Sequence, residues 1–297
     1  MANLSRRHFL RTGLAAAAGL GLMPSAIAQP KRSATDWVTL GNSGVKVTRL
    51  GMGTGTNSGQ VQLALGQKEL TRVIRYAYER GVRFFDTADS YGDGKMQAMV
   101  SEALKGLDRD TYTVQTKMKI GPDRDPWKEI DRFRKEWNTD YFDSFLLHCA
   151  RSANWTDELK KSMDALNDAK DKQLIRSKGA SVHGLKPLHA MANSQWMDVA
   201  LLRVNHDGTH MDNENDDWNE KGNVDHCVEH IRQIHNAGAG VIGMKLIGNG
   251  DFTDPAVRDA SIKFVMDLDC VDAIVIGFKN TQEIDEAIDR MNHHLNA

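Results

Sequence analysis

The sequence has 297 residues, 40% hydrophobic and 26% charged, which is enough apolar material for one large core and no bias toward a disordered or fibrous chain. A formal net charge of −2 lacks the basic excess of nucleic-acid binders. The three cysteines, Cys149, Cys227 and Cys270, are far apart with no C-x-x-C pair, which speaks against a disulfide framework or a cysteine-held metal. With 6 scattered prolines and no Pro-, Gly- or Ser-rich linker after residue 35, a single domain is expected.

In chain order, Ser5-Arg6-Arg7-His8-Phe9-Leu10-Arg11 precedes an Ala/Gly/Leu-rich run from Thr12 to Met23 and then Ala26-Ile27-Ala28. These are the parts of a signal peptide. The run is too short to stay as an anchor across the ~30 Å hydrocarbon layer. The paired arginines resemble a twin-arginine (Tat) signal, which implies the Tat machinery as a partner, cleavage after Ala28 and a periplasmic location. Residues 29–36 then read as a short linker, and 37–297 as the enzyme-sized domain.

That domain starts with a hairpin from Trp37 to Val47, turning through Gly41-Asn42-Ser43-Gly44 and expected to cap the bottom of the fold. Eight β-rich runs follow: Arg49 to Thr54, Val82 to Asp86, Tyr112 to Lys117, Phe142 to His148, Ile175 to Ser181, Val199 to Val204, Gly240 to Lys245 and Ala273 to Phe278. Between them lie patterns at helical spacing, such as Leu70, Val73, Ile74, Ala77 and Ile284, Ala287, Ile288, Met291. Asp86, Lys117 and His148 are spaced 31 residues apart, close to one βα unit of roughly 30 residues per step. Eight such units predict an α/β fold, a (βα)8 TIM barrel, in preference to an open doubly wound sheet. The long irregular stretch 206–224 follows the sixth run and is expected over the mouth of the barrel.

In such a barrel the loops after the strands form the active face, so Asp86, Lys117 and His148 converge there with Tyr91, five residues beyond Asp86. A carbonyl that takes hydride from a nicotinamide needs a proton and stabilisation of its oxygen. Tyr91 suits the acid, provided the Lys117 ammonium lowers its pKa from about 10. Asp86 would hold Lys117 charged, and His148 would direct the carbonyl oxygen.

Phe84-Phe85-Asp86-Thr87-Ala88-Asp89-Ser90-Tyr91-Gly92 resembles the FDTAxxYG signature of aldo-keto reductases, and Thr116-Lys117 and Tyr141 to His148 resemble that family's later motifs. The resemblance covers nearly the whole mature chain. It implies a catalytic tetrad of Asp86, Tyr91, Lys117 and His148, a small carbonyl substrate and NADP as cofactor, with NAD as the alternative. An exported reductase must also carry its nucleotide or be recharged by an unknown redox partner.

No G-x-G-x-x-G follows a strand, so the nucleotide site is expected where barrels bind phosphate, after strands seven and eight and at a helix N-terminus. Lys245 and Gly248 lie after the seventh run, and Gly277, Lys279, Gln282 and Glu286 after the eighth; Gly53, Thr54 and Asp86 complete the expected set on the other side. By resemblance Lys245 contacts the pyrophosphate and Lys279 the adenosine end. Gly179-Ala180-Ser181 resembles the family's GxSN, whose Ser and Asn hold the nicotinamide amide. Here Val182 stands for the Asn, Leu201 for a Gln on the sixth strand, and Glu286-Ala287 for Glu-Asn near the adenine; Arg203 or His183 are candidates to compensate.

Two other readings stand beside this one. A metal-dependent hydrolase would draw on Asp86, His148, His183 and the i, i+4 pair His226 and His230, which lacks the Glu of H-E-x-x-H. A non-catalytic binding barrel would keep the pocket without turnover. Trp127, Asn154-Trp155 and Trp218 are candidates for the substrate pocket or for packing on the rim.

Overall fold

Strand side chains alternate between two faces, and here both faces are apolar, the pattern of a parallel sheet covered on both sides. The computed structural model describes residues 31–121 and 124–297. The expected leader and its cleavage point lie outside the described residues. The strands are β1 Trp37–Thr39, β2 Lys46–Thr48, β3 Leu50–Gly53, β4 Phe84–Asp86, β5 Thr113–Lys119, β6 Phe142–Ala150, β7 Ile175–Val182, β8 Val199–Arg203, β9 Gly240–Met244 and β10 Ala273–Gly277. The last eight close a parallel barrel in the order β10-β3-β4-β5-β6-β7-β8-β9, with helices between consecutive strands. All eight predicted strands are present, and the fold is the expected (βα)8 barrel.

Alternation divides the core in two. Phe84, Leu146, Val199, Leu201, Ile242, Ala273 and Val275 fill the inside of the barrel. Their neighbours Phe85, Phe145, Leu147, Ala200, Leu202, Val241 and Ile274 point outward to the helices. Helix Gly66–Glu79 meets them with Leu70, Val73, Ile74 and Ala77, and helix Thr281–His294 with Ile284, Ala287, Ile288 and Met291.

The antiparallel pair β1 and β2 puts Leu40, Val45 and Val47 into the inner cluster. Lys46 accepts a hydrogen bond from Thr113 at the start of β5 (2.8 Å), and Gly41 bridges to Ala239 just before β9. The hairpin therefore plugs the N-terminal end of the barrel, as expected. Gly41, at φ 45°, lies so close to the backbone around Ala239 that no side chain fits.

The expected linker is only partly one. From Arg32 onward it is tied to the last helix: the Arg32 guanidinium donates to the Leu295 carbonyl (3.1 and 2.9 Å), and the Ala34 amide to Asn292 (2.8 Å). Ala34 is fully buried, so hydrophobic contact outweighs the polar composition that suggested a connector. Among the described residues no helix is long and apolar enough to cross a membrane.

Near the plugged end, buried Asp143 on β6 accepts from Arg109 (2.6 Å), Arg176 (2.9 Å) and the Val114 amide (2.9 Å), while both guanidinium groups lie over the Tyr141 ring. Removing this buried carboxylate leaves the Val114 amide unmet and two partly exposed guanidinium groups without their partner, at a cost of about 1–3 kcal/mol. Asp143→Ala is expected to lose about that much in urea unfolding and Asp143→Asn less; an unchanged midpoint for the alanine variant would show that the ion pairs do not hold this end together.

Candidate active site

On four strands an inward position beneath the mouth is followed two residues later by an inward charged or titratable one. Phe84 is followed two residues later by Asp86, Gln115 by Lys117, Leu146 by His148, and Leu201 by Arg203. A single alternation thus places the floor of a cavity and, one pleat higher, its chemistry.

Lys117 is fully buried. Its ammonium donates to both Asp86 oxygens (2.7 and 2.9 Å) and to the Thr87 carbonyl (2.6 Å), using all three N–H bonds. Asp86 also accepts from the Gln115 amide (2.8 Å), whose oxygen takes the Ser144 hydroxyl (3.0 Å). Burial pushes the Lys117 pKa down, and the Asp86 carboxylate opposes that shift.

Tyr91 stands over this pair. The Lys117 nitrogen is 4.7 Å from the centre of its ring, and the His148 ring meets it edge-on at 5.3 Å and 83°. The tip of the phenol rests on Gly55, where an added Cβ would come within 2.5 Å of the ring. The expectation that Lys117 lowers the Tyr91 pKa is corrected: the value is raised well above the ordinary phenol value, first by burial, then by the negative charge of Asp86, and further by Cys149 and Asp89. The ammonium is already neutralised by its own carboxylate. His148 bonds to Ser90 through Nδ1 (3.1 Å), and burial, with Lys117 and Lys245 nearby, pushes its pKa down to about 3, so its ring is neutral at physiological pH.

Asp86, Tyr91 and His148 line one end of a cavity of about 1270 Å³, larger than the roughly 300–1,000 Å³ usual for a small-molecule pocket. It runs past Gly53, Ser181, Lys245 and Gly277 to Lys279 and Glu286. Lys117 lies behind the wall. Thr54, Gly248 and Gln282 also stand off it: the Thr54 hydroxyl donates to the Asp86 carbonyl (2.9 Å), and Gln282 accepts from Thr281 (3.2 Å). Glu286 is on the wall but accepts from Arg258 (2.8 Å) and Arg290 (3.0 Å). Ser181 accepts the Cys149 amide (2.9 Å), beside a register shift in β6 where Cys149 takes φ 62°.

The wall suits a phosphate-bearing nucleotide. Lys245 bonds only to the neutral Asn249 side chain (2.6 Å), without a carboxylate in ion-pair range among the described residues, and its pKa falls to about 8 through burial and then the Arg203 charge. A bound anion relieves both effects. At the far end Arg258, Lys279 and Arg290 are paired with Glu283, Glu286 and Asp259 beside the N-terminus of helix Thr281–His294, which Asn280 caps.

The stretch 206–224 lies over the mouth as expected. His210 stacks on Trp218 at 3.8 Å and bonds to Asp251 across the opening (2.7 Å). Of the tryptophans considered for the pocket, Trp218 lines it; Trp155 is buried against Trp196 and bonds to Pro187 (3.3 Å), and Trp127 packs on the core under Lys172. His230 meets His189 (3.1 Å) on the exposed face of helix Val224–Asn236, away from Asp86 and His148. Sequence reasoning missed Gly55, Thr56, Asn57, Arg258 and Arg290 on the wall. The i, i+4 spacing of Glu286 and Arg290 was the one available signal.

Residues 49–293 match the model of the aldo/keto reductase family. The chain is 26% identical to the aldo-keto reductase YhdN of Bacillus subtilis over 165 residues, 49% of this chain and 46% of that protein. It is 34% identical to an L-galactose dehydrogenase of Arabidopsis thaliana over 118 residues, 37% and 36% of the two chains. The chain thus spans less than half the length of these curated relatives. Among solved structures it resembles an aldo-keto reductase of Bacillus halodurans in its holo form, at 17% identity and TM-score 0.66 over 87% of this chain and 94% of that one. It also resembles an aldo-keto reductase of Klebsiella pneumoniae in complex with NADPH, at 16% identity and TM-score 0.61 over 89% and 90%. With the family's model running from β3 into the last helix, over the strands that carry Asp86, Lys117 and His148, the chain belongs to the aldo/keto reductase family.

Proposed function

We propose that the protein is an NADP-dependent reductase of small aldehydes or ketones, with Tyr91 as the proton donor. The observation that carries this reading is the stack at the inner end of the cavity: a sealed Asp86–Lys117 pair, a phenol above it and a neutral imidazole edge-on to the phenol. Lys245, Lys279, Arg258 and Arg290 would hold the phosphates of the nucleotide, and Gly53, Ser181 and Gly277 would line its bed. Bound there, NADPH supplies the hydride. The NADPH complex of the similar Klebsiella structure favours the 2′-phosphorylated form over NADH, and Arg258, Lys279 and Arg290 at the far end are the cations within reach of a 2′-phosphate.

Tyr91 gives its proton to the carbonyl oxygen as negative charge develops on it. The raised pKa keeps the phenol protonated at neutral pH, and once the proton has gone the Lys117 charge lies beneath the ring, where it stabilises the phenolate that forms. Neutral His148 holds one N–H for the carbonyl oxygen while its Nδ1 faces Ser90. The weaker amide clamp, with Val182 and Leu201 at the family's Asn and Gln positions, also suits a barrel that binds nucleotide without turning over. Turnover distinguishes the two. We further propose that the paired arginines export the folded protein to the periplasm.

Tyr91→Phe is expected to keep NADPH affinity and lose at least about 10²-fold in turnover of aldehydes followed at 340 nm; full activity in this variant removes the assignment. NADPH is expected to bind more tightly than NADH in a fluorescence titration. Because the free protein must keep Lys245 protonated to receive phosphate, the NADPH Kd should rise above pH 8, by up to about tenfold per pH unit, and a Kd flat from pH 7 to about 9.5 would exclude Lys245 as a phosphate ligand. The mass of protein recovered from the native host should show an N-terminus at Gln29; an intact Met1 would exclude processing of the leader.

A further inference from the structure

The two ends of the cavity differ in how their charges are met. At the outer end each cation on the wall has a carboxylate: Arg258 and Arg290 share Glu286, and Lys279 reaches Glu283 (3.4 Å). At the inner end Asp86 is held by Lys117, and Arg151 pairs with Asp216 (2.9 Å). Arg203 is left with less than it can use. Its side chain is 95% buried, yet among the described residues it makes one long bond, from Nη1 to Asp212 (3.2 Å).

An arginine and a carboxylate that meet in the interior normally form two parallel bonds. Here they do not. The Asp212 oxygen that faces Arg203 also takes the Gly184 amide (2.8 Å), its second oxygen has no partner among the described residues, and the Arg203 Nε–H is likewise buried and unmet. Nη2, which makes no bond among the described residues and is not sealed as Nε is, leaves the guanidinium a donor for an anion, while the sealed Nε–H without a partner costs about 1–3 kcal/mol.

The strand register tells where that anion would lie. Arg203 is the next inward residue after Leu201, which pairs with Ser181, so the guanidinium stands one pleat nearer the mouth than the position where the resemblance places an amide-binding Gln. It faces the same cavity as Tyr91 and His148. Trp218 covers it: the ring lies 5.7 Å from the Arg203 guanidinium and 5.2 Å from the Lys245 nitrogen. An aromatic cover that keeps water away strengthens the attraction between a guanidinium and an anion. Lys245 is taken by the nucleotide in the reading above, which leaves Arg203 for the second reactant.

We propose that the guanidinium of Arg203 receives a carboxylate carried by the substrate, so that the protein reduces small oxo acids in preference to neutral carbonyl compounds. This rests on the reductase reading. The carbonyl carbon accepts the hydride and its oxygen the Tyr91 proton, the nucleotide leaves oxidised, and the carboxylate passes through unchanged into a hydroxy acid. The positive surroundings agree: His183, beside Cys149 on the same wall, is driven well below its ordinary pKa by burial and by the charges of Arg203 and Arg151.

The test compares 4-oxobutanoate and 4-carboxybenzaldehyde with their methyl esters under saturating NADPH. The expected kcat/KM ratio of acid to ester is on the order of 30-fold, the scale of a charge-assisted hydrogen bond gained in a buried site. Arg203→Met should bring this ratio close to one, and Arg203→Lys should keep part of it; general damage to the fold lowers acid and ester alike and does not move the ratio. Esters reduced as well as acids by the unaltered protein overturn the proposal. So does an Arg203→Met variant that keeps the ratio, or one that weakens NADPH binding and lowers both substrates equally, since Arg203 then serves the nucleotide or the fold. If neither acid nor ester is reduced, the reductase reading fails separately, and calorimetry of the NADP-saturated protein with butanoate against butanamide decides the site: butanoate binding that is lost in Arg203→Met upholds it, and equal or absent binding overturns it.

Discussion

A lysine sealed inside a barrel is tolerable only if its charge and all three of its N–H bonds are met in place. Lys117 achieves this with one carboxylate and one backbone carbonyl, both supplied by Asp86 and Thr87 at the end of the neighbouring strand. The desolvation of such a pair costs several kcal/mol for each ion, so strands β4 and β5 must hold register for it to exist at all. Gln115 and Ser144 continue the chain of hydrogen bonds into β6, the strand that carries His148. The ion pair is thus a base plate, and the positions of the phenol above it and of the imidazole beside it follow from that plate.

The same plate changes how the tyrosine is understood. A lysine near a tyrosine in sequence logic suggests a lowered pKa, but a charge already matched by a carboxylate exerts little net field on a third group. Burial and the nearer negative charges prevail, and the phenol stays protonated. In the proposed reduction such a group serves as a proton reservoir that is full before the reaction starts. The effect of Lys117 is then felt only when charge develops on the ring, which is the condition for differential stabilisation.

Charge distribution along the cavity separates binding from chemistry. The outer end carries cations held in pairs, which orient a polyanion without a large desolvation cost. The inner end carries Lys245, His148 and His183, whose pKa values are lowered first by burial and then by the positive charges around them. Trp218 and His210, from the long stretch after β8, close over that inner end through a bond to Asp251.

The alternation of residues and the 31-residue spacing of Asp86, Lys117 and His148 were sufficient for the eight strands, the barrel and the inward direction of those side chains, because period and spacing are local properties of the chain. The hairpin plug was legible from its turn residues. Other features came only with the tertiary structure. That residues 32–36 belong to the body depends on contacts with a helix more than 250 positions away in the chain. That Thr54, Gly248 and Gln282 stand off the wall, while Gly55, Arg258 and Arg290 stand on it, depends on which loop covers which strand end. The direction of the Tyr91 shift and the unmet edge of Arg203 are sums over charges and donors brought together from distant segments, and no reading along one dimension adds those terms.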